Sequence, residues 1–398
     1  MYINPSRSII GFCVIPSFRN FALMMLIEKD KIDGLTVDEL RQKRIAVLLS
    51  GGVDSSVVVW EFARLGLHPD CFYIKIGPEE QEEWDCSSEE DLEMATAVAA
   101  RFGCKLQLID CHKEYWDQVT RYTMDKVRAG FTPNPDVMCN RLIKFGAFDE
   151  KAGYQYDLIA TGHYAKVVKL KNGRYSLHTA KSSGKDQTYA LYNLTQEQLA
   201  RTLMPVGDYE KDEIRKIAER ISLRIANKPD SQDICFVPDG DYAKFIEENS
   251  DINIRSGEFV NTRGEVLGTH KGITHYTIGQ RKGLGLSLGE PAFVTKIDVN
   301  NNQVVIGNSL EVLDKGLIAD RVNWMSIEGL KMGESISLKA KIRYSHKGEN
   351  CIVKAISDDK ISVEFEQPVR AVTPGQAVVF YDEDSYVAGG ATIVEAVK

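Results

Sequence analysis

Between residues 45 and 163, short continuous apolar runs alternate with stretches of helical spacing. IAVLL at 45–49 is unbroken, as a strand covered on both faces must be. Val57 to Leu65 then reads as a helix closed by Gly66, and CFYIKI at 71–76 as a second strand. Ser88 is placed to cap a helix running to Phe102 and stopping at Gly103. KLQLID (105–110) gives a third strand, Lys113 to Val127 a helix, and GFTPNPD (130–136) a loop. A helix is expected from about Asn140, and DLIATG (157–162) is a fourth strand. Strands alternating with helices predict a doubly wound parallel sheet.

The pattern changes after His163. AKVVKL and RYSLHTA flank Asn172-Gly173, a two-residue hairpin signal. Thr195 with Gln198 three residues on is a capping box, and residues 209–221 are helical in spacing. From about 289 the chain alternates with period two. VTKIDV, QVVIG, SISLKAKIRY, NCIVKAI and KISVEFE are separated by NNN, GES and SDDK, which predicts a small antiparallel barrel or sandwich. The boundaries read as an extension over 1–43, expected to be dispensable, an α/β domain over 44–238, a central domain over 239–288 and a β domain over 289–398.

The chain has 398 residues, 43% of them hydrophobic, which suits a multidomain globular protein. Its net charge of −8 argues at first against a nucleic-acid partner. Residues 79–93 hold nine acidic groups and no basic one, however, and without them the rest stands at +1. That acidic run reads as a solvated loop leading into a helix. Basic residues gather at Lys166, Lys169, Lys171 and Arg174, at Arg281 and Lys282, and at Lys339, Lys341, Arg343 and Lys347. Stripes of this size can hold phosphates. The eight cysteines are irregularly spaced with no CxxC, which points to thiols in a reducing, cytoplasmic setting. Residues 8–27 are apolar but broken by Pro16, Arg19 and Asn20, so no membrane span is expected there.

Two segments carry the chemistry. SGGVDSS (50–56), between a buried strand and a helix, lets the backbone approach a phosphate chain at a helix N-terminus. No Lys-Ser/Thr pair follows, so this is not a Walker loop. It matches the pyrophosphate loop of N-type ATP pyrophosphatases, which adenylate an oxygen and release pyrophosphate. Asp54 among phosphates suggests Mg²⁺, and as a residue facing the loop its loss is expected to stop turnover with the fold intact. NPDVMCN (134–140) sets Cys139 at a helix start, where a thiol ionises more readily, with Asp136 three residues before it. On their own Cys139, Cys235 in NKPDSQDICF (227–236) and His163 in ATGHYA would pass for structural residues.

Taken together, SGGVDSS, TPNPDVMCN, ATGHYA, KDQ, ICF, GQRKGLG and PGQAVVFY stand in the order and spacing of the tRNA-specific 2-thiouridylases, which the chain resembles from about Arg44 to its end. PDSQDICF stands where many members have KDSTGICF, with the cysteine kept. The resemblance implies an adenine nucleotide alpha hydrolase-like domain of the PP-loop type with a small central domain and a C-terminal antiparallel β-barrel that grips tRNA. It implies that Leu48, Leu49, Ser50, Gly51, Gly52, Val53, Asp54, Ser55 and Gly162 contact ATP, with Ile74 against the adenine. Asn134, Pro135 and Asp136 would contact the target base. Cys139 would be the nucleophile and Cys235 the persulfide carrier. His163, Lys185, Asp186, Gln187, Arg343, Tyr344 and Gln376 would touch tRNA.

Such an enzyme would take ATP with Mg²⁺, tRNA with its anticodon wobble uridine, and a persulfide donor, either a cysteine desulfurase or a sulfur relay protein. Asp136, Cys139 and Cys235 could instead hold an iron–sulfur cluster. The absence of CxxC or CxxxC and the 96 positions between the cysteines favour a persulfide relay. Two rivals remain. An amide-forming synthetase with the same loop would need no cysteine pair, and a non-catalytic tRNA-binding protein would have no reason to keep SGGVDSS.

Overall fold

The computed structural model describes residues 31–76, 86–221, 223, 225–226, 228, 242–249 and 255–398. The first domain is built on five parallel strands in the order β5-β4-β3-β6-β9. These are β3 (Ile45–Leu48), β4 (Asp70–Lys75), β5 (Leu106–Asp110), β6 (Leu158–Ala160) and β9 (Thr202–Leu203). All four residues of β3 are buried, because it lies mid-sheet with helices on both faces. The fifth strand has only two residues, too short for any periodicity to announce it.

Helix α2 (Val53–Arg64) starts four residues earlier than its apolar spacing suggests, at the loop itself. Val57, Val58, Val59 and Phe62 are wholly buried against the sheet. Helix α3 (Cys86–Arg101) follows, and His112–Arg128 forms one helical stretch with a wide π turn at Trp116–Thr120. Helix α4 (Pro135–Met138) also begins earlier than expected, since Asn134 caps it and Pro135 occupies its first turn. It continues through Cys139–Ala147 as a π-type segment. The hairpin β7 (Ala165–Lys169) and β8 (Tyr175–Thr179) turns at Gly173, φ 85°, and helix α5 is Lys211–Arg220.

The described part of the expected dispensable extension is part of this domain. Strands β1 (Lys31–Ile32) and β2 (Leu35–Thr36) and helix α1 (Val37–Arg41) bury Ile32 and Leu40 in the core. Asp33 accepts a hydrogen bond from the Met204 amide. Only residues 1–30 lie outside the description at this end.

The boundary expected at 288/289 moves downstream. Strands β10 (Gly257–Asn261), β11 (Val266–His270), β12 (Phe293–Asp298) and β13 (Gln303–Gly307) form one sheet in the order β11-β10-β13-β12. VTKIDV and QVVIG therefore belong to the central domain, because β13 pairs in parallel with β10. The last domain is a closed barrel in the order β14-β17-β16-β15-β18-β19. Its strands are Leu313–Trp324, Ser335–Lys341, Glu349–Ser357, Lys360–Arg370, Ala377–Tyr381 and Val387–Val397.

Barrel and first domain share a core. Val137, Phe145, Tyr189 and Leu191 pack in one cluster with Met325, Ala377, Val379 and Tyr381. Among the described residues no helix is long and apolar enough to cross a membrane.

Candidate functional site

The strand-to-helix loop has the geometry its glycines dictate. Gly51 has φ 77°, and a Cβ there would lie 2.2 Å from the Asp91 carbonyl oxygen. Gly52 is the N-cap of α2 and no side chain caps it. Ser50 N–H donates to Ser55 Oγ at 3.2 Å, and Ser55 and Ser56 hydroxyls donate to Gly52 O at 3.2 and 2.8 Å. The serines thus lock the turn while the helix dipole and its first amides face outward to an anion. Gly162 closes the other side, where a Cβ would meet Ser55 N at 2.8 Å. Leu48 and Leu49 run into this turn, Leu49 N–H donating to Phe72 O, and Ile74 is half-buried at the end of β4.

Asp54 does not face the loop alone. Both its oxygens accept from Lys211 Nζ at 2.8 Å, and Oδ1 also accepts from Tyr164 O–H at 2.6 Å. Lys211 is 8% exposed and sits 5.5 Å above the Tyr164 ring. In this structure the carboxylate expected beside Mg²⁺ is held by an ammonium and a phenol. The acidic run is likewise more than a solvated loop, since Asp91 lies beside the phosphate turn and ion-pairs with Lys228.

Cys139 follows α4 and is 5% exposed, while Asp136 is exposed one turn earlier. The cysteine shares an apolar cluster with Cys111, just past β5, and Ile74 and Ile109 pack against it. Phe245 and Ile246 of helix α6 (Tyr242–Glu248) belong to the same cluster. The nucleophile candidate and the SGGVDSS turn thus both lie at the carboxyl edge of one parallel sheet, where ligands bind in open α/β folds. Cys235 lies outside the described residues. Its described flanks reach the site on both sides, Lys228 at Asp91 and α6 at the Cys139 cluster.

The residues expected at tRNA divide into two groups. His163 is 8% exposed, with Nδ1 2.9 Å from Thr161 Oγ1, and burial pushes its imidazole well below the usual value. Asp186 is buried, accepting from Ala180 N–H and Thr188 O–H. Gln187 accepts from Tyr164 N–H at 2.9 Å, and Gln376 donates to Thr132 O and Pro133 O. His163 and Asp186 are buried and Gln187 and Gln376 half-buried, and the hydrogen bonds named run to the protein itself. Lys185 is partly exposed, Tyr344 is 52% exposed, and half-buried Arg343 donates to Arg370 O. Arg174, grouped with the basic residues by sequence, turns inward to the carbonyls of Met325 and Trp324 and holds the barrel.

Sequence reasoning missed Lys211, which no local pattern marks, and gave Tyr164 of ATGHYA no role of its own. Lys211 stands in an ordinary amphipathic helix, and its partner is 157 positions away.

Comparison with known proteins assigns the same three parts. Residues 43–239 match the family described as tRNA methyl transferase HUP domain, 243–308 its PRC-barrel domain, and 314–393 an aminomethyltransferase beta-barrel domain. A tRNA-specific 2-thiouridylase of Lachnoclostridium phytofermentans is 46% identical over 88% of this chain and 99% of its own length. The same enzyme of Acetivibrio thermocellus is 45% identical over 88% and 99%, and that of Clostridioides difficile 44% over 87% and 97%.

Proposed function

The chain belongs to the tRNA-specific 2-thiouridylase family, and from that premise we propose how its site works. It is a tRNA-uridine 2-sulfurtransferase that uses ATP. The target is the wobble uridine of the anticodon. A uracil 2-oxygen is a poor leaving group, and adenylation converts it into AMP, a good one. The uncapped N-terminus of α2 and the SGGVDSS amides stabilise the pyrophosphate that departs. The anticodon base leaves its stack at modest cost, because loop nucleotides are already unpaired.

Sulfur arrives as a persulfide on Cys235, loaded by a desulfurase or relay protein. In one route the Cys139 thiolate attacks the inner sulfur of Cys235, forming the Cys139–Cys235 disulfide and releasing hydrosulfide. Hydrosulfide adds to C2 and AMP leaves with the oxygen. In the direct route the terminal persulfide sulfur adds to C2, AMP leaves, and Cys139 then attacks the Cys235 sulfur. Either way one disulfide forms per turnover, and an external thiol must reduce it. Asp136, exposed beside Cys139, is the group at hand to move the thiol proton.

The observation that supports this reading is the shared apolar cluster of Cys139 with Cys111 and the ends of β4 and β5, on the sheet edge that also carries the SGGVDSS turn. Mass analysis of tRNA nucleosides after incubation with ATP and sulfide tests it. Sulfur-for-oxygen exchange at uridine is expected. Methyl addition, the chemistry in the matched family's description, would overturn it.

A further inference from the structure

The loop leading to Cys139 is gripped by all three domains at one residue. Thr132 N–H donates to Pro374 O at 2.9 Å, and Thr132 O accepts from Gln376 Nε2 at 3.0 Å. The same Nε2 donates to Pro133 O at 3.2 Å. Thr132 Oγ1 is 2.6 Å from Thr277 Oγ1 of the central domain. Gly375, φ 95°, lets the barrel backbone approach, because a Cβ there would lie 2.9 Å from both Thr132 C and O. The next residues are Asn134, which caps α4, and Pro135, which opens it.

The anchor on the barrel side is stiff. Gly375 N–H donates to Ile393 O and Ile393 N–H donates to Gln376 O, so Pro374–Gln376 is stitched to the last strand of a closed barrel. On the other side, Gln280 accepts from Thr277 N–H at 3.1 Å and its own amide donates back to Thr277 O. The GQRKGLG and PGQ motifs thus share one physical task, holding the two jaws on Thr132.

We propose that Gln376 and Thr277 are positioning residues for thiolation, which clamp Thr132–Pro133 so that Asn134–Asp136 and Cys139 keep register with the RNA-gripping barrel. The side-chain amide of Gln376 is engaged by the protein's own loop in this structure. The proposal rests on the thiolation reading for its consequence, but the clamp has a readout that needs no turnover. Cys139 is buried while the loop is held, so releasing the loop exposes its thiol.

The test compares Gln376→Met, which keeps shape and removes the donor without adding charge, with Thr277→Val and Thr277→Ser in the full chain. Freshly reduced protein is alkylated with iodoacetamide, and Cys139 is followed by peptide mapping. Losing two hydrogen bonds is expected to raise the Cys139 rate on the order of tenfold in Gln376→Met. Single-turnover thiolation at saturating tRNA should fall by a similar factor, with tRNA affinity within about twofold of the parent. Thr277→Val should follow in the same direction, and Thr277→Ser, which keeps the hydroxyl, should behave as the parent. An unchanged alkylation rate in both Gln376→Met and Thr277→Val overturns the clamp, and a tenfold loss of tRNA affinity beside it makes Gln376 an RNA contact. If the parent makes no thiouridine, the functional reading fails, while the alkylation rates still decide the clamp.

Discussion

Replacing Asp54 by alanine takes from buried Lys211 the two carboxylate oxygens that accept from its Nζ. Lys211 is 8% exposed, and both carboxylate oxygens lie 2.8 Å from its Nζ. Breaking a buried pair on one side costs about 3–5 kcal/mol. Asp54 itself is 27% exposed at the side chain, so water reaches the gap and the lower part of that range applies. The Tyr164 hydroxyl also loses its acceptor. A loss of about 3 kcal/mol in a domain of this size moves the melting midpoint down by roughly 6–12 °C.

Thermal melts of Asp54→Ala, Lys211→Met and the double variant measure this directly. A buried pair replaced by apolar groups is often near neutral, so the double variant should recover most of the lost stability. If Asp54→Ala melts within about 1 °C of the parent, the pair carries no stability and the carboxylate is kept for the nucleotide alone. If the double variant melts lower than either single one, the two side chains act independently and the reasoning is wrong.

Four further outcomes follow from the site. ATP should be cleaved to AMP and pyrophosphate, and ADP with phosphate as products would exclude the reading of SGGVDSS. Lys339→Ala and Lys347→Ala, both on exposed barrel positions, should each flatten the log–log salt dependence of tRNA binding by ~0.7–0.9 if the residue meets a phosphate. One turnover without reductant should leave a Cys139–Cys235 disulfide that peptide mapping detects, and iron-dependent activity lost to a chelator would favour a cluster instead. The Cys104 thiol is pulled down chiefly by a hydrogen bond from Cys71, with His68 adding to the effect. Its thiolate fraction therefore rises at lower pH than in an ordinary thiol, so its alkylation rate should reach half-maximum below about pH 8.5, and a profile centred above that value would refute the contact.

What the sequence disclosed depends on how local each feature is. SGGVDSS, the Asn172-Gly173 hairpin and the Thr195–Gln198 capping box are contiguous, and each folds as its own residues require. The strands VTKIDV and QVVIG were equally legible as strands, but not their sheet. Pairing of β13 with β10 joins residues more than forty positions apart, and no alternation encodes that choice. The two-residue β9 and the burial of Ile32 and Leu40 under the first domain were hidden for the same reason.

The candidate site shows the same division at higher cost to the reading. Cys139 and Asp136 could be found because helix start, proline and cysteine are neighbours in the chain. Whether a polar residue meets RNA or its own protein cannot be decided that way. Asp186, Gln187, His163 and Gln376 carry the side chains expected of an RNA surface, yet their hydrogen bonds run inward. Three of them, or the residues they hold, lie within reach of segments that carry chemistry. Gln187 fixes Tyr164, which donates to Asp54 beside the phosphate turn. Asp186 orders Thr188, whose hydroxyl is 3.0 Å from the barrel's Tyr381. Gln376 fixes the loop to Cys139. The barrel is therefore joined through Tyr381 to the Asp186–Thr188 segment and through Gln376 to the cysteine loop. Both contacts cross the same boundary as the apolar core that the barrel shares with the first domain.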